Sequence, residues 1–514
     1  MDDVTDPGHP GAGPAPEPSP ATPLGSRPEL RVATSTVSLV ASSLVVAILG
    51  AVALHEVTNT LGKDSYGVLV TVINFISISF LFADLGINVY SGREIARDKS
   101  KASAILGQNL GLRLSMSVVM VPVVIGIGYA IYPHTRHSLL EGILLVAITL
   151  PFEALRAVSL SYYVATIQNY KTAFIGVFSQ IVYVTGVVVT LHLGYGLTGC
   201  FCSLIASAIC TGAVAYVAVR RSVAFVPRLT RSLWKGILRN SLGIGAIQVV
   251  NVLYLRTNTL MLSLMTSSST VALYGLAAAM VTFLLVIPNA YMTSMMPLLV
   301  TAPPERITSM VNTACAYMSM IGALAVAGTT CISGDLVSWI SNRQYAGSAP
   351  VLSILSVSVL FTCVTSVFTY ASFARNHHHR LFAISCGGLA MNVVLDLALI
   401  PPLGARGAAI ATIIVESLIL VGTYAIFRSR VGNHFTAWAR QARIYAVGGV
   451  TLLFGHFVLD HALGAGLLRL AVGAVTIPGL FIALALGLRC FPTPIRFREL
   501  YGSWSALRVS RRSS

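Results

Sequence analysis

Charge is what this sequence has least of. Asp, Glu, Lys and Arg make up 10% of its 514 residues, against about a quarter in an ordinary globular protein. That deficit excludes a water-soluble chain. Aromatics stay at 8%, so the apolar mass is Ala, Val, Leu, Ile and Gly, as in packed transmembrane helices. The eight cysteines (200, 202, 210, 315, 331, 363, 386 and 490) show no metal-ligand spacing and read as small apolar packing residues. There is no phosphate-cradling glycine loop to hydrolyse ATP, and no basic start with a short apolar core, as a cleaved signal peptide would have. His377-His378-His379 stands in a short turn beside Arg375 and Arg380 and reads as a solvated basic loop. No metal, cofactor or catalytic residue is expected.

What is present is hydrocarbon. Hydrophobic residues are 55% of the chain and the mean hydropathy is +0.78, surface that only lipid can cover. Residues 1–31 differ, being rich in proline with acids at Asp2, Asp3 and Asp6, and are expected to be a disordered tail. Apolar stretches long enough to cross ~30 Å of hydrocarbon then follow at about 33–54, 67–86, 107–131, 139–164, 172–192, 196–219, 241–264, 272–296, 309–331, 350–374, 380–400, 405–427, 442–459 and 466–488. The expectation is an all-α integral membrane protein of about 14 transmembrane helices.

The chain carries 34 Lys and Arg against 18 Asp and Glu, a net charge of +16. In a soluble protein that would suggest nucleic acid; here it reports orientation. Basic residues cluster in both tails, at 87–113, in the linker around Arg220, Arg221, Arg228, Arg231, Lys235 and Arg239, and at Arg428, Arg430, Arg440 and Arg443, all on one side. The other side holds Lys63, Arg136, Arg343, Arg406 and Arg469. The positive-inside rule then puts both termini in the cytoplasm, and nucleic acid is not an expected partner.

The chain also resembles itself at an offset of 208 residues: Tyr66-Gly67 and Tyr274-Gly275, Gly196-Leu197-Thr198-Gly199 and Gly404-Ala405-Arg406-Gly407, Tyr162 and Tyr370. The expected organisation is a tail (1–31), a six-helix lobe (32–219), a basic linker (220–240), a second six-helix lobe (241–428), two further helices (429–489) and a basic tail (490–514). Six helices per lobe make the lobes parallel repeats about an axis along the membrane normal, enclosing a cleft.

Ionisable groups inside a bilayer are paired or functional. Asn109, Arg113 and Ser117 fall at i, i+4, i+8 on the third span; they line an aqueous cleft, or Arg113 snorkels to the headgroups. Glu153 and Arg156, three apart beyond the helix-bending Pro151, neutralise each other or form a gated pair that opens. In the seventh span Gln248, Asn251 and Asn258 share a face. Arg256 lies off that face with no acid within one turn, so it needs an acid from another helix or an anion. Asn392 and Asp396 at i, i+4, with Glu416, pair with an arginine or bind a coupling cation. Ser35, Ser38 and Ser42 form a stripe suited to helix packing.

Three stretches then identify a family. Leu61-Gly62-Lys63-Asp64-Ser65-Tyr66-Gly67 with Asp84-Leu85-Gly86 and Arg93-Glu94-Ile95-Ala96-Arg97 resembles the opening of bacterial polysaccharide flippases. Tyr254-Leu255-Arg256-Thr257-Asn258-Thr259-Leu260-Met261-Leu262 resembles their seventh helix, and Asn392 with Leu399-Ile400-Pro401-Pro402-Leu403-Gly404-Ala405-Arg406-Gly407-Ala408-Ala409-Ile410-Ala411-Thr412 resembles their most specific junction. The resemblance spans about 33–430 and is to the multidrug/oligosaccharidyl-lipid/polysaccharide exporter superfamily.

It implies a transporter that flips a polyprenyl-diphosphate-linked oligosaccharide across the bacterial cytoplasmic membrane by alternating access, alongside glycosyltransferases or a polymerase of the same pathway. Arg113, Arg156 and Arg256 would meet the diphosphate, and Asn109, Asn251 and Asn258 the glycan. Glu153, Asp396, Glu416 and Asn392 are the candidates for ion coupling or pairing. The family often has an acid where this chain has Asn258, so coupling is not carried to that position. The rivals are a peptidoglycan-precursor flippase, a MATE-type drug or cation antiporter, which typically has twelve spans, and a membrane glycan polymerase, which would need a sizeable external domain. The longest external loop expected here, 332–349, offers only Asp335 and Arg343.

Overall fold

In hydrocarbon an apolar run must satisfy its backbone within itself, and the α-helix does so. The computed structural model describes residues 28–132, 136–229, 231–375, 377–431, 438–462 and 466–492, and among them there is no strand. Of the expected disordered tail (1–31), residues 1–27 lie outside the described residues while 28–31 open the first helix, and the basic tail lies outside them from 493.

The first half runs α1 (Pro28–Thr60), α2 (Lys63–Asp84), α3 (Ile87–Arg97), α4 (Ala102–Ile131), α5 (His137–Ala147), α6 (Leu150–Ala165), α7 (Asn169–His192) and α8 (Gly196–Arg220). The second runs α9 (Arg231–Met265), α10 (Ser268–Leu284), α11 (Val286–Thr301), α12 (Pro304–Ile340), α13 (Ser348–Ala374), α14 (His378–Leu403) and α15 (Ala405–Ile426). α16 (Trp438–Ala462) and α17 (Leu467–Gly487) follow. Ten helices among the described residues are long and apolar enough to cross a membrane, thirteen when each of three bent pairs counts as one span. α16, at the place of the thirteenth expected span, is not in that set.

The bends have local causes. α5 and α6 meet at 43°, just before Pro151, whose ring cannot continue the preceding turn. α10 and α11 meet at 41° beside Pro288.

Two boundaries differ from expectation. The 332–349 stretch is no long loop: α12 continues to Ile340, and Arg343–Tyr345 is a single 3-10 turn. Asp335 ends the apolar run in the sequence, yet Arg469 Nε lies 3.2 Å from it and its carboxylate accepts the Gly466 amide at 2.9 Å, so the charge is neutralised within the fold. The basic linker is also shorter, because α9 begins at Arg231. The segment 221–229 is strapped across α4, with the Arg228 amide donating to the Gly107 carbonyl at 2.9 Å and the Ser103 hydroxyl to that of Ala224.

The halves meet chiefly along α2, which packs on both α9 and α10. The repeated glycines mark this seam. A Cβ on Gly67 would sit 1.8 Å from the Ser268 carbonyl oxygen, and one on Gly275 would meet the Val70 side chain at 2.9 Å. At one end of the seam the Ile340 carbonyl accepts from Thr58 Oγ1 (3.1 Å) and Asn59 Nδ2 (3.0 Å), and the Arg136 guanidinium caps Ser263 and Thr266 carbonyls at 2.7 and 2.9 Å. At the other end Gly86, at φ +76°, turns the chain from α2 into α3 so tightly against α9 that a Cβ would lie 2.5 Å from the Gly245 nitrogen. α16 and α17 pack on α12, away from the seam.

Candidate functional site

Between those two closures lies a cavity of about 380 Å³ at the seam, lined by α2, α5, α6, α8 and α9. Its walls are Ile73, Ile76, Phe80, Val146, Leu150 and similar apolar side chains. The charged groups on it are Glu153, Arg156 and Arg256, with Ser77 and Thr149 adding hydroxyls. An apolar pocket with a few convergent polar groups is what an orienting ligand site requires.

Arg256 comes to this wall from the C-terminal half of α9. Its Nη1 donates to Asn74 Oδ1 of α2 at 3.0 Å, and no acid among the described residues lies within ion-pair distance of it. Of the two partners the sequence allows, an acid from another helix is absent among the described residues, and within the fold the guanidinium donates to a neutral amide. Asn74 is a polar residue inside a span whose signal the sequence reading passed over. A guanidinium held by one neutral acceptor keeps its charge and most of its N–H donors for a ligand.

Glu153 and Arg156 form the local pair: Arg156 Nε and Nη2 both donate to Glu153 Oε2, at 2.8 and 2.5 Å. Each side chain keeps about a third of its surface, 30% and 27%. The pair thus neutralises itself, as the first of the two sequence readings has it, and also lines the cavity.

Arg113 is placed by neither reading. It neither reaches the headgroups nor lines the cavity; its side chain is 0% exposed, its Nη1 is 3.3 Å from Asp84 Oδ1, and its guanidinium lies over the Phe80 ring at 5.3 Å. Asp84 comes from the Asp84-Leu85-Gly86 motif that bends α2 into α3, and its carboxylate also accepts the Asn88 amide at 3.4 Å. The motif carried this partner, but its residues were read for resemblance alone. Asn109 and Ser117 flank Arg113 on α4, fully buried, and their side-chain polar atoms have no hydrogen-bond partner.

The remaining candidates sit elsewhere. Asn251 lines a separate pocket of about 90 Å³ with Thr369, His378 and Thr423. Asn258 is buried, its Nδ2 donating to the Tyr274 hydroxyl at 2.8 Å and to Thr412 Oγ1 at 2.7 Å. Glu416 accepts the Tyr254 hydroxyl at 2.8 Å. Asn392 and Asp396 are buried in α14 at 1% and 0% exposure; both Asp396 oxygens and Asn392 Oδ1 have no hydrogen-bond partner. Neither acid pairs with Arg156 or Arg256. Among the described residues no group of three His, Cys, Asp or Glu is disposed to hold a metal.

Residues 32–302 match the family described as polysaccharide biosynthesis protein. The probable flippase AglR of Haloferax volcanii is 26% identical over 167 residues, 31% of this chain. The match spans only 35% of that relative's length. Among solved structures, a lipid II flippase, MurJ, in an inward closed conformation superposes with a TM-score of 0.74 at 12% identity, covering 87% of this chain and 98% of the other. An inward-facing multidrug resistance MATE family transporter of the MOP superfamily gives 0.63 at 13%, covering 77% and 98%. A MOP superfamily transporter from Pyrococcus furiosus gives 0.58 at 16%, covering 79% and 96%. At these identities the likeness is one of fold, a multi-pass MOP-type transporter fold.

Proposed function

The chain belongs to the polysaccharide biosynthesis protein family, and from that premise we propose that it flips a polyprenyl-diphosphate-linked oligosaccharide across a bacterial cytoplasmic membrane. The observation that carries this reading is Arg256: a guanidinium in a cavity at the seam of the two halves, hydrogen-bonded to a neutral amide and sharing that cavity with the Glu153–Arg156 ion pair. A diphosphate crossing hydrocarbon needs fixed cations whose charge is not already spent. Arg256 is the first. Arg156 is the second, once the diphosphate displaces Glu153 from it, since a phosphate and a carboxylate compete for the same N–H fork.

Residues 32–219 and 241–428 would act as the two lobes, rocking about the α2 seam, with 220–240 as linker and 429–489 as an accessory pair. Both termini would be cytoplasmic, and glycosyltransferases or a polymerase of the same pathway would supply and consume the cargo. In the second half, Asp396 and Asn392 would carry the coupling proton or cation, because an ionised carboxylate without a partner is costly at this depth. Arg113 would serve from behind the wall, fixing Asp84 and the α2–α3 turn.

A second reading, a peptidoglycan-precursor flippase, is supported by one observation: the match to the lipid II flippase covers 87% of this chain against 77% for the MATE transporter. Both cargoes offer a diphosphate to the same arginines. The test is translocation in proteoliposomes, comparing lipid-linked oligosaccharide with lipid II in the wild type, Arg256→Ala and Arg156→Ala. Flipping of the oligosaccharide, lost in both variants, is expected. Preference for lipid II would favour the second reading, and normal flipping in both variants would overturn the cation site.

A further inference from the structure

Arg156 has a second outlook. Besides the central cavity it lines another, of about 690 Å³, enclosed between α3 and α6. α3 contributes Asn88, Val89 and Arg93 to this space, and α6 contributes Ala157, Leu160 and Val164. Most of the surface is aliphatic, with Arg93 and Arg156 as its two charges and Asn88 as its amide. The Asn88 side-chain oxygen is buried and has no hydrogen-bond partner. Gly92 forms part of the wall, where a Cβ would come no closer than 3.8 Å to the Ser161 carbonyl. Arg93 is exposed at the rim.

The occupant follows from these features. A space between two helices of a membrane-spanning chain, walled by Val, Leu and Ala, suits aliphatic chains, and two guanidiniums select chains that end in phosphate over neutral ones. Arg156 is a wall of this space and of the central cavity that Arg256 also lines, so the two spaces share a guanidinium. α3 stands in the region the positive-inside count puts on the cytoplasmic face, where a lipid-linked cargo would be loaded.

The geometry points to the α3–α6 cavity as a lateral vestibule, where a prenyl phosphate docks its headgroup on Arg93 and is relayed through Arg156 to the central cavity. This rests on the cargo proposed above. Arg93 is a positioning residue for loading, and the Glu153–Arg156 pair is the gate between the two spaces. While Glu153 holds Arg156, an empty vestibule stays electrically neutral at its inner end, and an arriving phosphate opens it by exchange.

The experiment uses the full chain in detergent and farnesyl diphosphate carrying a photoreactive group at its prenyl end. Wild-type protein should be labelled within 157–167. Labelling there should fall about tenfold in Arg93→Glu, the scale of one charge-assisted hydrogen bond, and equally in Gly92→Leu, which fills the space without changing its charge. Arg256→Ala should leave it intact. Labelling that ignores both α3 variants, or that falls only on residues 73–80 and 252–256, overturns the vestibule. So does equal competition by uncharged geranylgeraniol, which would make the space a plain lipid groove. Vestibule labelling as expected, combined with no oligosaccharide translocation by wild-type proteoliposomes, would instead refute the cargo and leave the prenyl phosphate site standing.

Discussion

The two halves share a helix plan and differ in their charge. At the 208-residue offset α4 superimposes in sequence on α12, α7 on α14 and α8 on α15, and the repeated Tyr-Gly pair stands at the start of α2 and inside α10. The buried charges do not follow. Asp84, Arg113, Glu153 and Arg156 of the first half fall on Met292, Ile321, Phe361 and Val364 of the second. In return Asp396 and Glu416 fall on Val188 and Ala208, and Arg256 on Ile48. The duplicated part of the sequence builds the scaffold, whereas the unduplicated charges divide the labour. The face toward the central cavity carries guanidiniums, and α14 and α15 of the second half carry two buried carboxylates, Asp396 and Glu416, with no cation within ion-pair distance among the described residues.

The comparison breaks most violently at Arg113. Because it is wholly buried beside Asp84, Arg113→Ala leaves a carboxylate uncompensated, and a loss of about 3–5 kcal/mol of stability is expected. The double variant Asp84→Leu/Arg113→Leu should recover most of that, since it removes both charges together. Thermal unfolding in detergent separates the two. A single variant as stable as the wild type would mean that the pair does not hold the α2–α3 turn.

Next in size is Arg256→Ala. Removing hydrogen bonds to a charged group costs about 1.5–3 kcal/mol, so oligosaccharide flipping should fall roughly 10- to 150-fold while the unfolding temperature stays within a few degrees. Arg256→Lys should recover part of the rate, keeping the charge and losing the planar fork. If Ile48→Arg, the equivalent position of the first half, rescued Arg256→Ala, the cavity would be reading charge from either half, and the asymmetry argued above would be wrong.

A third test concerns the scaffold that the halves do share. Gly67→Ala drives a methyl into the Ser268 backbone, which cannot move without shifting α10, and should cost about 1–3 kcal/mol as overpacking does. Gly275→Ala meets only the Val70 side chain, which can rotate, so its cost should be the smaller of the two. Equal losses in unfolding measurements would show that the seam is symmetric in energy as well as in sequence.

Much of this was legible in the sequence. The all-helical, many-span make-up and the Glu153–Arg156 pair rest on local signals, namely hydropathy over twenty residues and a three-residue spacing on a helix. What escaped depended on partners distant in the chain. Arg113 was read as solvated because Asp84 lies beyond α3, and Arg256 was given an acid or an anion because nothing local announces Asn74. Asp335 looked like the start of a loop until Arg469, on another helix, neutralised it. The three asparagines were assigned together by residue type, yet they scatter, because helical spacing fixes a face and only packing decides what the face meets.

The smallest effect on stability bears on the second half. Asp396 is fully buried with both oxygens unpartnered, so Asp396→Asn exchanges one unpartnered polar group for an isosteric one and should move stability by no more than about 1 kcal/mol, the scale of one hydrogen bond. If Asp396 carries the coupling proton or cation, that nearly silent variant should still abolish the response of initial flipping rates to an imposed pH or sodium gradient. Glu416→Gln serves as the control: Glu416 is already satisfied by the Tyr254 hydroxyl and should keep the response. Gradient dependence surviving in Asp396→Asn but lost in Glu416→Gln would move the coupling site from α14 to α15. Survival in both would place it outside Asp396 and Glu416, and the division of labour would then rest on the guanidiniums alone.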